Sequence, residues 1–163
     1  MAAPAMTAAT RYFRPEITKV YWTTGLTTYT APSRAELNSG VDITGDIAEI
    51  NGFQVNSDNV DTPDLGSRFT SKIPGRITAE DSSLNFYASR TGGSNTVRTL
   101  FPRDTTGYIV FMDAGDVATT GVMDIFPVTV SSRPKLRALE DPAMEQVQFT
   151  ITRVPSEDRT IPG

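Results

Sequence analysis

Tyr108-Ile109-Val110-Phe111-Met112, a turn from Asp113 to Thr120, and Gly121-Val122-Met123-Asp124-Ile125-Phe126-Pro127-Val128-Thr129-Val130 form the stretch that decides the fold. Five consecutive apolar residues, rich in β-branched and aromatic types, are too short for a helix and suit a strand buried on both faces. Asp113-Ala114-Gly115-Asp116 and Thr120-Gly121 carry turn residues. The return segment is mostly apolar as well. The stretch therefore reads as the central hairpin of a β-rich core, onto which other segments pair.

Working outward, the best flanking strand is Glu145 to Arg153. Val147, Phe149 and Ile151 alternate there with Gln146, Gln148, Thr150 and Thr152. Leu84, Phe86 and Ala88 share one face of Ser83–Ser89. Glu16–Trp22 alternates too, and Trp22, the only tryptophan, reads as core. Val41–Thr44 and Ile47–Val55 read as strands, with a bulge expected at Gly52-Phe53. Two short helices are expected. One follows Ser33, whose N-cap and Glu36 partner make a capping box; Gly40 follows its end, and its small apolar surface suits a sheet edge. The other runs from Thr96 to Leu100, capped by Asn95. From Asn56 to Ile77 the pattern fades among Pro63, Gly66, Pro74 and Gly75, which reads as a long loop of the kind that is functional or disordered. Residues 1–14 and 154–163 read as terminal arms. The result is a single mainly β domain: seven or eight strands in a β-sandwich or partly closed barrel, with one or two short helices, a long loop and extended arms.

Composition narrows the function. The chain has 163 residues, enough to bury roughly 70% of its unfolded surface. It contains neither Cys nor His, so it has no disulfide, no thiolate metal site and no His-activated nucleophile. Arg and Lys total 15 against 19 Asp and Glu, a net charge of -4, which disfavours tight nonspecific DNA binding. No apolar run reaches membrane-spanning length, and Met1–Met6 lacks the basic start of a secretory signal. Asp58, Asp61 and Asp64 do not have calcium-loop spacing. Glu80 and Asp81 are adjacent, so on a strand they would face opposite sides. Gly92-Gly93 is a turn and no phosphate loop. Arg133, Lys135 and Arg137, followed by Glu140, Asp141 and Glu145, suit cross-strand or intersubunit pairing. No catalytic residue, cofactor or metal ligand is expected, and neither hydrolase activity nor a metal requirement. This profile suits a protein that works by assembling.

The sequence also carries a resemblance. Arg11–Trp22, Thr30–Asn38 leading into Asp42–Ile50, Asp61–Phe69, Glu80–Ser83 and Phe101–Arg103 through Met112-Asp113 are similar to the major tail proteins of long-tailed, non-contractile actinobacterial phages. The resemblance spans nearly the whole chain. It implies a tail tube subunit that forms hexameric rings stacked into a hollow tube, assembled in the host cytoplasm around a tape measure protein, with tail tip and terminator proteins at its ends. It implies strands joined between subunits around a lumen, a helix outside, and genomic DNA passing through without sequence-specific binding or a membrane partner. On that expectation the 56–77 loop stacks rings through Asp61, Asp64, Leu65, Arg68 and Phe69. Glu49, Asn51, Asp81 and Asn85, on the polar faces of alternating strands, are the lumen candidates. A virion decoration or adhesion module and the inner tube of a contractile injection system are the alternatives.

Overall fold

A computed structural model describes residues 3–163. The central hairpin is present as expected. It comprises β7 (Thr106–Met112) and β8 (Val122–Ser132), and every other strand of the main sheet builds outward from it. Those strands are β1 (Lys19–Thr23), β2 (Val41–Asp42), β3 (Ile47–Asn51), β6 (Ser82–Tyr87), β9 (Lys135–Leu136), β10 (Met144–Ile151) and β11 (Ser156–Thr160). The order across the sheet is β2-β1-β7-β8-β10-β6-β3, with β11 also on β8 and β9 also on β10. β8 pairs with β10 through Val128–Ser132 and with β11 through Val122–Ile125. Pro127, which has no N–H to give, falls at the change-over between these two partners.

The hairpin is buried on both faces because the sheet curls around one core and carries a second on its outside. Inward, Trp22, Ile109, Phe111, Phe126, Val128, Val130, Val147, Phe149, Leu84 and Phe86 form the main cluster. Phe101, just after α2 (Val97–Leu100), sits inside it. Its ring lies 4.9 Å from Trp22, 5.3 Å from Phe86 and 5.6 Å from Phe149, so it links strands from opposite sides of the sheet. Outward, Val110, Met112, Met123 and Ile125 pack with Leu26, Leu37 and Ile161.

The sheet does not close into a barrel. Its two edges, β2 and β3, are consecutive in the chain and joined by a 3-10 turn, Thr44–Asp46. A groove of about 810 Å³ remains at the seam, lined by residues of β1 and β3 including Lys19, Val20, Ile47 and Ile50.

Helix α1 (Arg34–Asn38) has the expected capping box. The Glu36 N–H donates to Ser33 Oγ at 3.3 Å, and the Ser33 N–H donates to Glu36 Oε2 at 2.8 Å. Leu37 places the helix on the outer face over β7 and β8, which corrects the expectation that it decorates a sheet edge. A five-residue helix needs such an apolar seat because its own hydrogen bonds cannot hold it. Ser33→Ala should cost about 1 kcal/mol in urea unfolding, the usual loss of an N-cap. Hydrogen bonds from the backbone N–H groups of Ser33 and Thr27 hold the Glu36 carboxyl down at about 2. A depressed acid stabilises above its ordinary value and loses that contribution as pH falls through the folded value. The cap should therefore be intact above about pH 4.5 and open towards pH 2, read from the Glu36 carboxyl carbon shift by NMR.

Four further expectations are corrected. The 56–77 span is not a loop: β4 (Val55–Thr62) and β5 (Ser71–Ala79) form a separate two-stranded antiparallel sheet. The polar sequence of β4, and Pro74-Gly75 within β5, hide the pattern. A bulge opposite Asp58 absorbs the break, and a Cβ on Gly75 would sit 2.7 Å from the Asp58 carbonyl oxygen. The expected C-terminal arm is also part of the body. β11 pairs with β8, and the fully buried Ile161 fills the outer cluster. Gly52-Phe53 is a corner instead of a bulge. Both residues have positive φ, 76° and 57°, and there the chain leaves β3 for the hairpin; the irregular register lies between Ile47 and Glu49. Thr96, not Asn95, caps α2.

Candidate assembly interface

The strand alternation that builds the inner core leaves a second surface on the reverse side. Half of the outer sheet face is covered by α1 and the C-terminal segment. The other half is bare. Following the register from β7 to β3, it presents Thr106 against Thr129, Thr129 against Thr150, Gln148 against Ser132 and Ser83, Gln146 against Asn85, Asn85 against Glu49, and Ser83 against Asn51. These side chains bond one another across the strands. Thr106 and Thr129 hydroxyls lie 3.1 Å apart, Asn85 Nδ2 donates to Glu49 Oε2 at 2.8 Å, Gln146 donates to Ser83 Oγ at 3.4 Å, and Ser132 donates to Gln148. Glu49 is the one charged side chain in this set.

Three of the four lumen candidates, Glu49, Asn51 and Asn85, fall together on this face. Asp81 stands at its margin, in the connection between β5 and β6, at a hollow shared with the face residues Ser83, Gln148 and Thr150. The end of the face at β6 and β3 is legible in the sequence, whereas the Thr and Gln rows of β7, β8 and β10 are not among the expected lumen residues. The alternation in β10 was the signal available for them.

All five residues expected to stack rings lie on the β4–β5 hairpin or its tip. The hairpin leaves the body at Gln54 and returns at Glu80, where the Glu80 N–H donates to the Gln54 carbonyl at 3.1 Å. Neither of its strands pairs with the main sheet. At about 3.3 Å per residue, the eight residues of β4 reach about 26 Å. Asp61 pairs with Lys72 at 3.1 Å, and the Thr62 and Ser71 hydroxyls lie 2.8 Å apart. At the tip Asp64 accepts from the Gly66 N–H at 2.8 Å, which shapes the turn. Leu65 and Phe69 are 109% and 77% exposed, and Val60 and Ile73 form an exposed cross-strand pair. So much apolar surface on a thin ribbon finds no burial within the subunit.

Residues 3–13 have no regular structure and lie exposed, with Tyr12 and Phe13 among them; the first two residues of the expected arm lie outside the described residues. Arg14 fastens this segment by an ion pair to Asp113. Asp113 and Asp116 were legible only as turn residues. Asp116 in fact takes a two-pronged pair from Arg34 of α1, at 2.5 and 2.7 Å, and accepts from Tyr21 Oη at 3.0 Å. The Arg34 hydrogen bonds hold the Asp116 carboxyl below its ordinary value. Burial, with Asp116 beside it, pushes the Tyr21 phenol up to about 12. The network ties helix, β1 and hairpin turn together on the covered half of the outer face.

Of the basic cluster, Arg133 pairs with the buried Glu145, Nε to Oε2 at 3.3 Å, though without hydrogen-bond alignment, while Lys135 and Arg137 are exposed. Among the described residues no cluster of three or more acidic side chains could hold a metal ion, and no helix is long and apolar enough to cross a membrane.

The family model for phage tail tube proteins matches residues 6–163. The chain belongs to the phage tail tube protein family. It is a structural component of a phage tail, and its family is not one of enzymes. No curated protein matches the sequence. Solved structures match by fold. The sheath/tube terminator of an extracellular contractile injection system (PVC) matches with a TM-score of 0.60 at 12% identity, covering 90% of this chain and 96% of that one. The tube terminating cap of the anti-feeding prophage matches at 0.56 and 15% identity, covering 96% and 99%. The SPP1 tail tube matches at 0.57 and 11% identity, covering 90% and 79%.

Proposed function

We propose that this tail tube protein forms hexameric rings stacked into the tube of a long, non-contractile actinobacterial phage tail, and that the bare half of its outer sheet face lines the lumen through which genomic DNA is ejected. The observation that carries this reading is the chemistry of that face. It is five strands wide, it is built mainly of Ser, Thr, Asn and Gln side chains, several of which bond across the strands, and the charges on it and at its margin, Glu49 and Asp81, are negative. DNA is held by clustered Lys and Arg that displace its counterions. A wall without them gives passing phosphates nothing to bind, while its polar groups keep it wet. The opposite design, an apolar wall, would bury itself against another surface.

The unclosed seam between β2 and β3 supports the assembly reading. An open sheet edge is a template for pairing with another chain, and closure around a ring removes it. The tape measure protein would occupy the lumen during assembly in the host cytoplasm, and tip and terminator proteins would cap the stack. The fold is shared with tube components of contractile systems, so a contractile tail is the second reading; a sheath that co-purifies with the tail would favour it.

Negative-stain microscopy of the purified protein should show uniform hollow rings or tubes, where dispersed monomers would favour a decoration module. A density map of the polymer should show an inner wall that is neutral to negative and built from Thr106, Thr129, Gln148, Asn85 and Glu49. An inner wall dominated by Arg and Lys would contradict the proposal.

A further inference from the structure

The β4–β5 hairpin segregates its charges by strand. Going up, β4 and the turn carry Asp58, Asp61 and Asp64; coming down, the turn and β5 carry Arg68, Lys72 and Arg76. All six are exposed. Asp61–Lys72 is the one ion pair formed between the two sets. Glu80, the next acid, lies beyond the end of β5 and accepts a hydrogen bond from Asn56 at 2.6 Å. The sheet has two strands, so each has one free edge. One edge is flanked by acids and the other by bases.

We propose that hairpins of neighbouring copies lie side by side, with the acidic strand β4 of one against the basic strand β5 of the next. The proposal rests on the ring-forming reading above and names the contact that specifies it. Exposed edges are commonly protected by charge, but mixed charge on both edges would serve that purpose. Segregated charge does something more selective. It opposes β4 against β4 and β5 against β5, the pairings of a two-fold dimer, and favours β4 against β5. Such a contact is heterologous, and heterologous contacts generate rings. The bulge at Gly75 and the missing N–H of Pro74 interrupt a backbone ladder along β5. Charge therefore sets the pairing more than main-chain hydrogen bonding does.

The test uses two full-length variants. The first carries Asp58→Lys, Asp61→Lys and Asp64→Lys; the second carries Arg68→Glu, Lys72→Glu and Arg76→Glu. Each then has two edges of one sign. By sedimentation, each alone should need a protein concentration more than about tenfold above wild type to associate, as expected when like charges are juxtaposed. An equimolar mixture should return to near the wild-type concentration, because each variant now complements the other. A chain carrying all six changes should assemble alone. Far-UV circular dichroism checks that each variant is folded. The proposal is overturned if either single-sign variant assembles as wild type, or if the mixture associates no better than its components. If wild type forms no tubes, the ring reading fails, whereas selective association of the mixture would still establish the strand contact.

Discussion

A subunit carrying Leu65→Asp and Phe69→Asp is expected to fold as wild type does and to form no tubes. Both side chains stand at the tip of the β4–β5 hairpin in nearly full contact with water. Replacing them removes no packing within the subunit, so far-UV circular dichroism and the melting midpoint should be unchanged. In the polymer the balance differs. Burying each side chain against a neighbouring subunit would contribute about 1.5–3 kcal/mol, and the contact repeats at every position. An Asp in its place brings the penalty of removing a carboxylate from water. Loss of tubes in negative stain with an intact monomer identifies the tip as a stacking element. Wild-type assembly, or an unfolded variant, would remove that role.

Phe101→Ala should be the most damaging single change to the monomer, at about 3–5 kcal/mol in urea unfolding, the usual range for removing a buried aromatic ring. Phe101 is 1% exposed and touches Trp22 of β1, Phe86 of β6 and Phe149 of β10. Its ring fills the space inside the curl of the sheet. Without it the sides of the sheet lose their common contact, and partial collapse would change the curvature that the proposed ring must match. The variant should therefore assemble poorly even at temperatures where it remains folded. A destabilisation below about 1 kcal/mol would mean that the core closes readily over the gap.

The sequence determined the elements whose pattern follows from burial on one or two faces. The continuous apolar runs of β7 and β8, the alternation of β10 and the Ser33 capping box were all legible, because local spacing and local hydrogen bonding dictate each. So were Glu49, Asn51 and Asn85 as polar-face residues. The hairpin β4–β5 was not legible. Its strands bury almost nothing within the subunit, so no apolar alternation marks them, and Pro74-Gly75 mimics a loop. β11 was equally silent: its exposed side chains give no period, and Ile161 is anchored only because Gly121 and Leu37 happen to lie where it arrives. Tertiary structure alone decided which half of the outer face is covered. It also turned Asp116 from a turn residue into the anchor of Arg34, and it carried the polar rows of five strands onto one surface. Each of these joins residues distant in the chain, and chain spacing holds no record of such pairings; the curl of the sheet creates them.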